Sequence, residues 1–83
     1  VKGGFLMRFS TETELYQAIG SNIKYYREQA KLTQFQLSEL VQISISYISK
    51  VEAFGCSKSI SISVLNQIAN TLNVDITEFF KPR

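Results

Sequence analysis

The chain has 83 residues, 45% of them hydrophobic and 19% charged, with a net charge of +2. This length suits one domain with a small core, better built from short helices than from a large sheet, and the composition is globular, not disordered. With no histidine and a single cysteine, Cys56, the chain offers no internal disulfide, no zinc site and no Cys–His or Ser–His catalytic pair.

Residues 1–10 read as an N-terminal arm or a cloning remnant, with Met7 a candidate natural start. Phe5, Leu6, Met7 and Phe9 form an apolar patch too short for a signal-peptide core. No apolar run is long enough to span a bilayer, and the single thiol fits a reducing compartment, so a cytoplasmic setting is expected.

Residues 11–83 read as one all-α domain. Thr11 caps the first helix, and Glu14 stands at capping-box spacing. Leu15, Ile19, Ile23 and Tyr26 form an apolar stripe. Gly20 within it costs helix propensity, which suggests close packing. The helix is expected to fray around Ala30 and Lys31. Thr33 and Gln36 repeat the capping-box spacing, opening a second helix with Leu37, Leu40 and Val41 on its apolar face. A break at Gln42 and Ile43 follows, and Ser44 caps a third helix with Ile48 and Val51 inward.

Ala53 to Ser59 is small and polar and contains Gly55, which marks a loop. Cys56 lies in it without a histidine to activate it and reads as an exposed thiol and not a redox sensor. Ser59 to Val64 alternates like a strand but has no partner, so an extended segment entering a fourth helix is expected. Ser61 caps that helix, with Ile62, Leu65, Ile68, Ala69 and Leu72 at spacings of three and four. Asp75 and Glu78 repeat the cap pattern for a last short helix holding Ile76, Phe79 and Phe80, with Pro82 beyond it.

The two short helices between Gln34 and Glu52 carry the functional argument. Leu37, Val41, Ile43, Ile48 and Val51 point inward, and Ser38 is small where the helices cross. Ile45, Ser46, Ser49 and Lys50 are left on the outer face of the third helix. A helix fits the DNA major groove, serine hydroxyls donate or accept at base edges, lysine reaches guanine acceptors, and an isoleucine suits a thymine methyl. At the start of the second helix, backbone N–H groups of Thr33 and Gln34 and the Gln34 amide suit a phosphate oxygen.

The runs Leu32-Thr33-Gln34-Phe35-Gln36-Leu37, Ile43 to Glu52, and Leu65 through Ile68-Ala69 to Leu72-Asn73-Val74 resemble the lambda-repressor-like (Cro/XRE) helix-turn-helix family, over about Ile19 to Phe80. The resemblance implies a compact five-helix fold whose third helix enters the major groove of double-stranded DNA. It also implies a homodimer on a two-fold operator. The DNA-facing set it suggests is Thr33, Gln34, Ser44, Ile45, Ser46, Tyr47, Ser49, Lys50 and Lys58, with Gln34 on the DNA backbone. It pairs Arg27 with Glu52 as a structural ion pair. Three features depart from the family pattern: Gln42 where glycine is usual, a longer proline-free loop from Ala53 to Ile60, and Phe35 where a charge is usual.

Each assignment has a plainer counterpart. Ser44, Ser46 and Ser49 are also ordinary cap and surface residues, and Lys50 is also an ordinary solvated charge. Arg27 is basic enough for a phosphate, and Tyr25 and Tyr26 could stack on bases, although tyrosines at helical spacing are usually core or rim. For dimerisation the candidates are Ile76, Phe79 and Phe80, because two adjacent phenylalanines cannot both face one core. The N-terminal Phe5 to Phe9 patch is the alternative. No cofactor, metal, small-molecule ligand, membrane or catalytic role is indicated. The expected function is a sequence-specific transcriptional regulator of the repressor or restriction–modification controller type. The competing reading is an antitoxin or protein-interaction module on the same fold; the absence of acidic residues from the outer face of the third helix favours DNA.

Overall fold

The computed structural model describes residues 9–53 and 58–82. Four α-helices, α1 (Glu12–Gln29), α2 (Gln34–Val41), α3 (Ile45–Glu52) and α4 (Ile62–Leu72), precede a C-terminal 3-10 helix, Ile76–Phe80. The fifth helix is thus a tighter 3-10 element. No strand forms among the described residues, and the alternating Ser-Ile run enters α4 irregularly through Ser61. The expectations for Phe5 to Met7, Gly55 and Cys56 lie outside the described residues.

Helix starts follow the cap residues. Thr11, Thr33, Ser44 and Ser61 each accept a hydrogen bond from the backbone N–H three residues on, satisfying a donor that the helix leaves open. At Thr33 the box is complete, since Gln36 accepts from the Thr33 N–H in return. At α1 the returning carboxylate of Glu14 takes the N–H of Ser10 instead of Thr11. The N–H of Glu78 goes to the Asp75 backbone carbonyl, while the Asp75 carboxylate accepts from the N–H of Thr77. That backbone donor, then the Thr77 hydroxyl, holds the Asp75 carboxyl below its ordinary pKa.

Three helices end in the same way. Lys31, Gln42 and Asn73 have φ of 61°, 56° and 59°. At each, the next N–H reaches back five residues: Leu32 to Arg27, Ile43 to Ser38 and Val74 to Ala69. This six-to-one closure normally uses glycine at the left-handed position, because other residues crowd their own carbonyl there. The expected fraying at Ala30 and Lys31 is therefore replaced by a closed end. Gln42 adopts the left-handed conformation that glycine accepts freely, at a cost in strain.

The core gathers Ile19 and Ile23 of α1, Leu37 and Val41 of α2, Ile48 and Val51 of α3, Leu65, Ile68, Ala69 and Leu72 of α4, and Phe79. Two residues expected on apolar faces lie outside it: Leu40 is 60% exposed and Ile62 67% exposed. α2 has only two turns, and Leu37, Ser38 and Val41 fill its inward face, with Ser38 folding its hydroxyl onto the Phe35 carbonyl. Ile62 is the first residue of α4, ahead of the buried stripe that begins at Leu65.

Phe79 requires a correction to the dimer expectation. It is 0% exposed within its own chain and packs edge-on to Tyr26, with centroids 6.2 Å apart. It completes the core and has no surface to offer a partner, whereas Ile76 and Phe80 are half-buried at the core edge. The segment is anchored by Asn22, a fully buried residue of α1 whose Nδ2 donates to the carbonyls of Phe79 and Lys81 at 2.9 and 2.8 Å. Tyr26 adds a hydrogen bond from its hydroxyl to Glu78.

Gln42→Gly should raise stability by up to about 1 kcal/mol, because left-handed strain disappears while the unfolded chain gains some freedom. For a domain this size that is about 4–8 °C in Tm. Gln42→Val should shift Tm the other way, since a β-branched side chain tolerates positive φ least. Thermal unfolding followed by circular dichroism checks both.

Candidate nucleic-acid interface

The placement of α3 begins at Gly20. A Cβ there would collide with the carbonyl oxygen of Val51, so α1 and α3 cross with backbone against side-chain-free backbone. Close approach of this kind is available only to glycine. It explains why a residue poor for helix propensity stands mid-helix in α1.

An ion pair locks the crossing. Arg27 Nε donates to Glu52 Oε2 at 2.8 Å and Nη2 donates to Glu52 Oε1 at 2.9 Å. The guanidinium and carboxylate planes thus meet in a two-pronged contact, the geometry that makes arginine and not lysine suited to a buried carboxylate. Arg27 Nη1 also donates to the Leu32 carbonyl at 2.7 Å, joining the end of α1 to the entry of α2. The hydrogen bond to Glu52 raises the Arg27 pKa above its ordinary value against the opposing effect of burial. Both residues are buried at 7% exposure. The geometry therefore matches the structural pairing of Arg27 with Glu52, and it removes the guanidinium from the surface where a phosphate would sit.

With α3 held this way, Ile45, Ser46, Ser49 and Lys50 are all exposed. At 100° per residue they occupy a sector of about 140°, while Ile48 and Val51 face the core. Ile45 remains 44% exposed, an apolar spot amid hydroxyls and one ammonium. The sector carries no acidic side chain. Ser44, also exposed, accepts from the Tyr47 N–H with its hydroxyl oxygen.

The remaining candidates divide. Thr33 and Gln34 stand at the N-terminus of α2, Thr33 exposed and Gln34 half-buried. Gln34 Nε2 donates to Glu52 Oε1 at 3.0 Å, a contact the sequence did not suggest. Tyr47 is half-buried, and its hydroxyl donates to the Ser59 carbonyl at 2.8 Å. Burial pushes this phenol's pKa up. Lys58 is exposed with its Nζ 5.5 Å from the centroid of the Tyr47 ring, within range of a cation–π attraction. Tyr47 thus ties Ser59, ahead of α4, to α3, so this residue of the expected DNA-facing set has its hydroxyl engaged within the fold. Phe35 is 55% exposed and does not cover the core. Tyr25 and Tyr26 meet edge-on at 4.9 Å on α1, and Tyr26 turns toward the C-terminal segment, so its ring serves the fold.

Asn22 was the residue that sequence reasoning passed over. It lies three residues after Ile19 and next to Ile23, on the apolar stripe, and a short amide in such a stripe signals a buried polar anchor. Among the described residues, every buried side-chain nitrogen and oxygen has a partner, and no group of three acidic or cysteine side chains could hold a metal ion. No helix among them is long and apolar enough to cross a membrane.

Comparison with known proteins agrees with this geometry. Residues 23–79 match the sequence model of a helix-turn-helix family. No curated protein sequence matches the chain. Among solved structures, a hypothetical transcription factor, NHTF, from Neisseria superposes with a TM-score of 0.76 at 21% identity, over 90% of this chain and 82% of that one. The restriction–modification controller protein C.AhdI from Aeromonas hydrophila gives 0.69 at 22% identity, over 77% and 94%. SinR, a master regulator for biofilm formation solved in complex with DNA, gives 0.70 at 27% identity, over 76% and 98%.

Glu52→Ala should leave the Arg27 charge buried without its partner, a loss of roughly 3–5 kcal/mol. The expected outcome is a Tm lowered by well over 10 °C in the absence of DNA, at about 4–8 °C per kcal/mol. An unchanged Tm in differential scanning calorimetry would remove the pair from the fold's support.

Proposed function

The chain belongs to the helix-turn-helix family, and on that premise we propose that it is a transcriptional regulator that binds double-stranded DNA sequence-specifically, as a dimer on a two-fold operator. The observation that carries this reading is the outer sector of α3, where Ile45, Ser46, Ser49 and Lys50 are exposed together on a helix whose angle is fixed by Gly20, Arg27 and Glu52. In the proposed complex α3 lies in the major groove. Lys50 donates to guanine, Ser46 and Ser49 reach base edges, and Ile45 meets a thymine methyl. The Gln34 amide and the backbone N–H of Gln34 take a phosphate, whereas the Thr33 N–H, expected to share it, is engaged by Gln36. Ser44, Thr33 and Lys58 border the strands, Lys58 from beside the Tyr47 ring. Repression by occupancy of the operator, in the cytoplasm, is the simplest regulatory action for such a domain. The SinR structure, solved with DNA, and the controller protein C.AhdI support this direction.

A dimer follows from information content. One recognition helix reads only a few base pairs, too few for selectivity in a genome. Two copies about 34 Å apart read successive major grooves on one face of the duplex. With Phe79 inside the core, the proposed contact is through Ile76 and Phe80, half-buried beside it.

Duplex selected from a random pool, titrated by fluorescence anisotropy, tests the DNA reading. With about 6–10 phosphate contacts per dimer, affinity should fall roughly 1000-fold or more between 50 and 200 mM salt. Lys50→Ala should lose about 1–3 kcal/mol on the selected site and tolerate substitution at one base-pair position. Gln34→Ala should weaken all sequences evenly, since a phosphate carries no base identity. Failure to select any duplex at low salt sinks the proposal in favour of a protein-interaction module.

Phe80→Ser should yield a folded monomer in sedimentation with weak operator binding, because a half-buried aromatic at an interface is a common anchor. A variant that stays dimeric at low micromolar concentration places the interface elsewhere.

A further inference from the structure

Glu52 has more to do than neutralise Arg27. Its Oε2 accepts from Arg27 Nε, and its Oε1 accepts both from Arg27 Nη2 at 2.9 Å and from Gln34 Nε2 at 3.0 Å. A carboxylate has no proton to give. The Gln34 amide must therefore turn its NH2 group, and not its carbonyl, toward Glu52. Nε2 carries two N–H bonds, so one is used on Glu52 and the second remains for another acceptor. Seven residues separate Glu52 from Ile45, close to two full helical turns. Glu52 thus lies in line with Ile45, at the C-terminal end of α3 and on the border of the exposed sector that meets the first turn of α2.

We propose that Glu52 is a positioning residue for the DNA-backbone contact, holding the Gln34 amide so that its second N–H is presented to a phosphate oxygen. This rests on the reading of Gln34 as a phosphate ligand given above. The arrangement is a relay of fixed orientations: Arg27 fixes the carboxylate, and the carboxylate fixes the amide. Without the carboxylate, a glutamine side chain has no reason to prefer one flip of its amide. In the flipped form it would offer a carbonyl oxygen to the phosphate, and two acceptors repel. The amide loses little rotamer freedom on binding, because the folded chain has already restrained it.

Glu52→Gln tests the relay, since it retains the shape but supplies a donor of its own that can turn the Gln34 amide around. Anisotropy titrations on the selected duplex would compare wild type, Glu52→Gln, Gln34→Ala and the double variant, each below its melting temperature with helicity checked by circular dichroism. The expected loss for Gln34→Ala is roughly 10- to 100-fold, the range for a hydrogen bond to a charged group, with the log–log salt slope nearly unchanged, because a neutral amide releases no counterion. Glu52→Gln should approach the same loss, and the double variant should bind no more weakly than Gln34→Ala alone. If Glu52→Gln lowers affinity by the same factor whether residue 34 is glutamine or alanine, Glu52 acts only through the fold and the relay is overturned. If Gln34→Ala leaves affinity unchanged, or if wild type selects no duplex, the phosphate reading itself falls and the relay with it.

A second measurement needs no variant at position 52. In the wild-type chain, nuclear magnetic resonance should show one side-chain amide proton of Gln34 exchanging with water more slowly than those of Gln67, which is exposed. Equal, fast exchange for both residues would overturn the relay even if Glu52→Gln fails to fold.

Discussion

The contact between α1 and α3 decides what the molecule can present. α3 has eight residues, far too short to hold a helical conformation by itself in water. Its order and its angle are imposed from outside by two means acting at different ranges. Gly20 lets the backbones meet at Val51, which fixes the separation. Arg27 then grips Glu52 with two nitrogens, which fixes rotation about the axis of α3. Rotation matters most, because one residue's worth of turn, 100°, would carry Ile48 outward and Lys50 toward the core. A buried ion pair is a poor source of net stability, since desolvation offsets much of its attraction. Its value here is that very few other arrangements satisfy both charges.

Much of this was legible in sequence because it rests on local chemistry. Thr33 with Gln36, Ser44 and Ser61 announce helix starts by hydrogen bonds spanning three residues. The exposed set on α3 follows from helical period alone once Ile48 and Val51 are placed inward. The family resemblance supplied the Arg27–Glu52 pairing, which spans 25 residues and which no local rule yields. Where reading from sequence went astray, the deciding contact was tertiary. Leu40 looked like a core residue by spacing, but Ser38 took the buried place. Phe79 looked like half of a surface pair, but the concave floor formed by α1 accepts it entirely. The link from Gln34 to Glu52 was invisible because their separation in the chain gives no hint of contact, and at Asn22 the apolar stripe marks a buried amide but not its partners 57 and 59 residues on.

The three helix ends at Lys31, Gln42 and Asn73 show how a chain with only four glycines makes sharp connections. All adopt left-handed backbone without glycine, and Asn73 is the residue type best suited to do so. The geometry is the same at each, but the residues between helices differ, and so do the directions in which the next element departs. The turn at Gln42 feeds α3 directly through Ile43 and Ser44. Its strain is thus located at the joint that aims the exposed sector, where an altered backbone would matter more than at either other end.

Asn22 gives the order of assembly a direction. Its two carbonyl acceptors lie 57 and 59 residues further along, so on a ribosome the α1 amide emerges well before Phe79 and Lys81 exist. Until then the floor of the core lacks both its aromatic plug and these two acceptors, and a buried amide without them is costly. Helices α1 to α4 can collapse earlier, but the nascent chain has no means of closing its base. The segment from Phe79 to Lys81 therefore acts as a keystone, and a chain interrupted before it would expose the apolar floor that Phe79 covers, the sort of surface on which chaperones and proteases act.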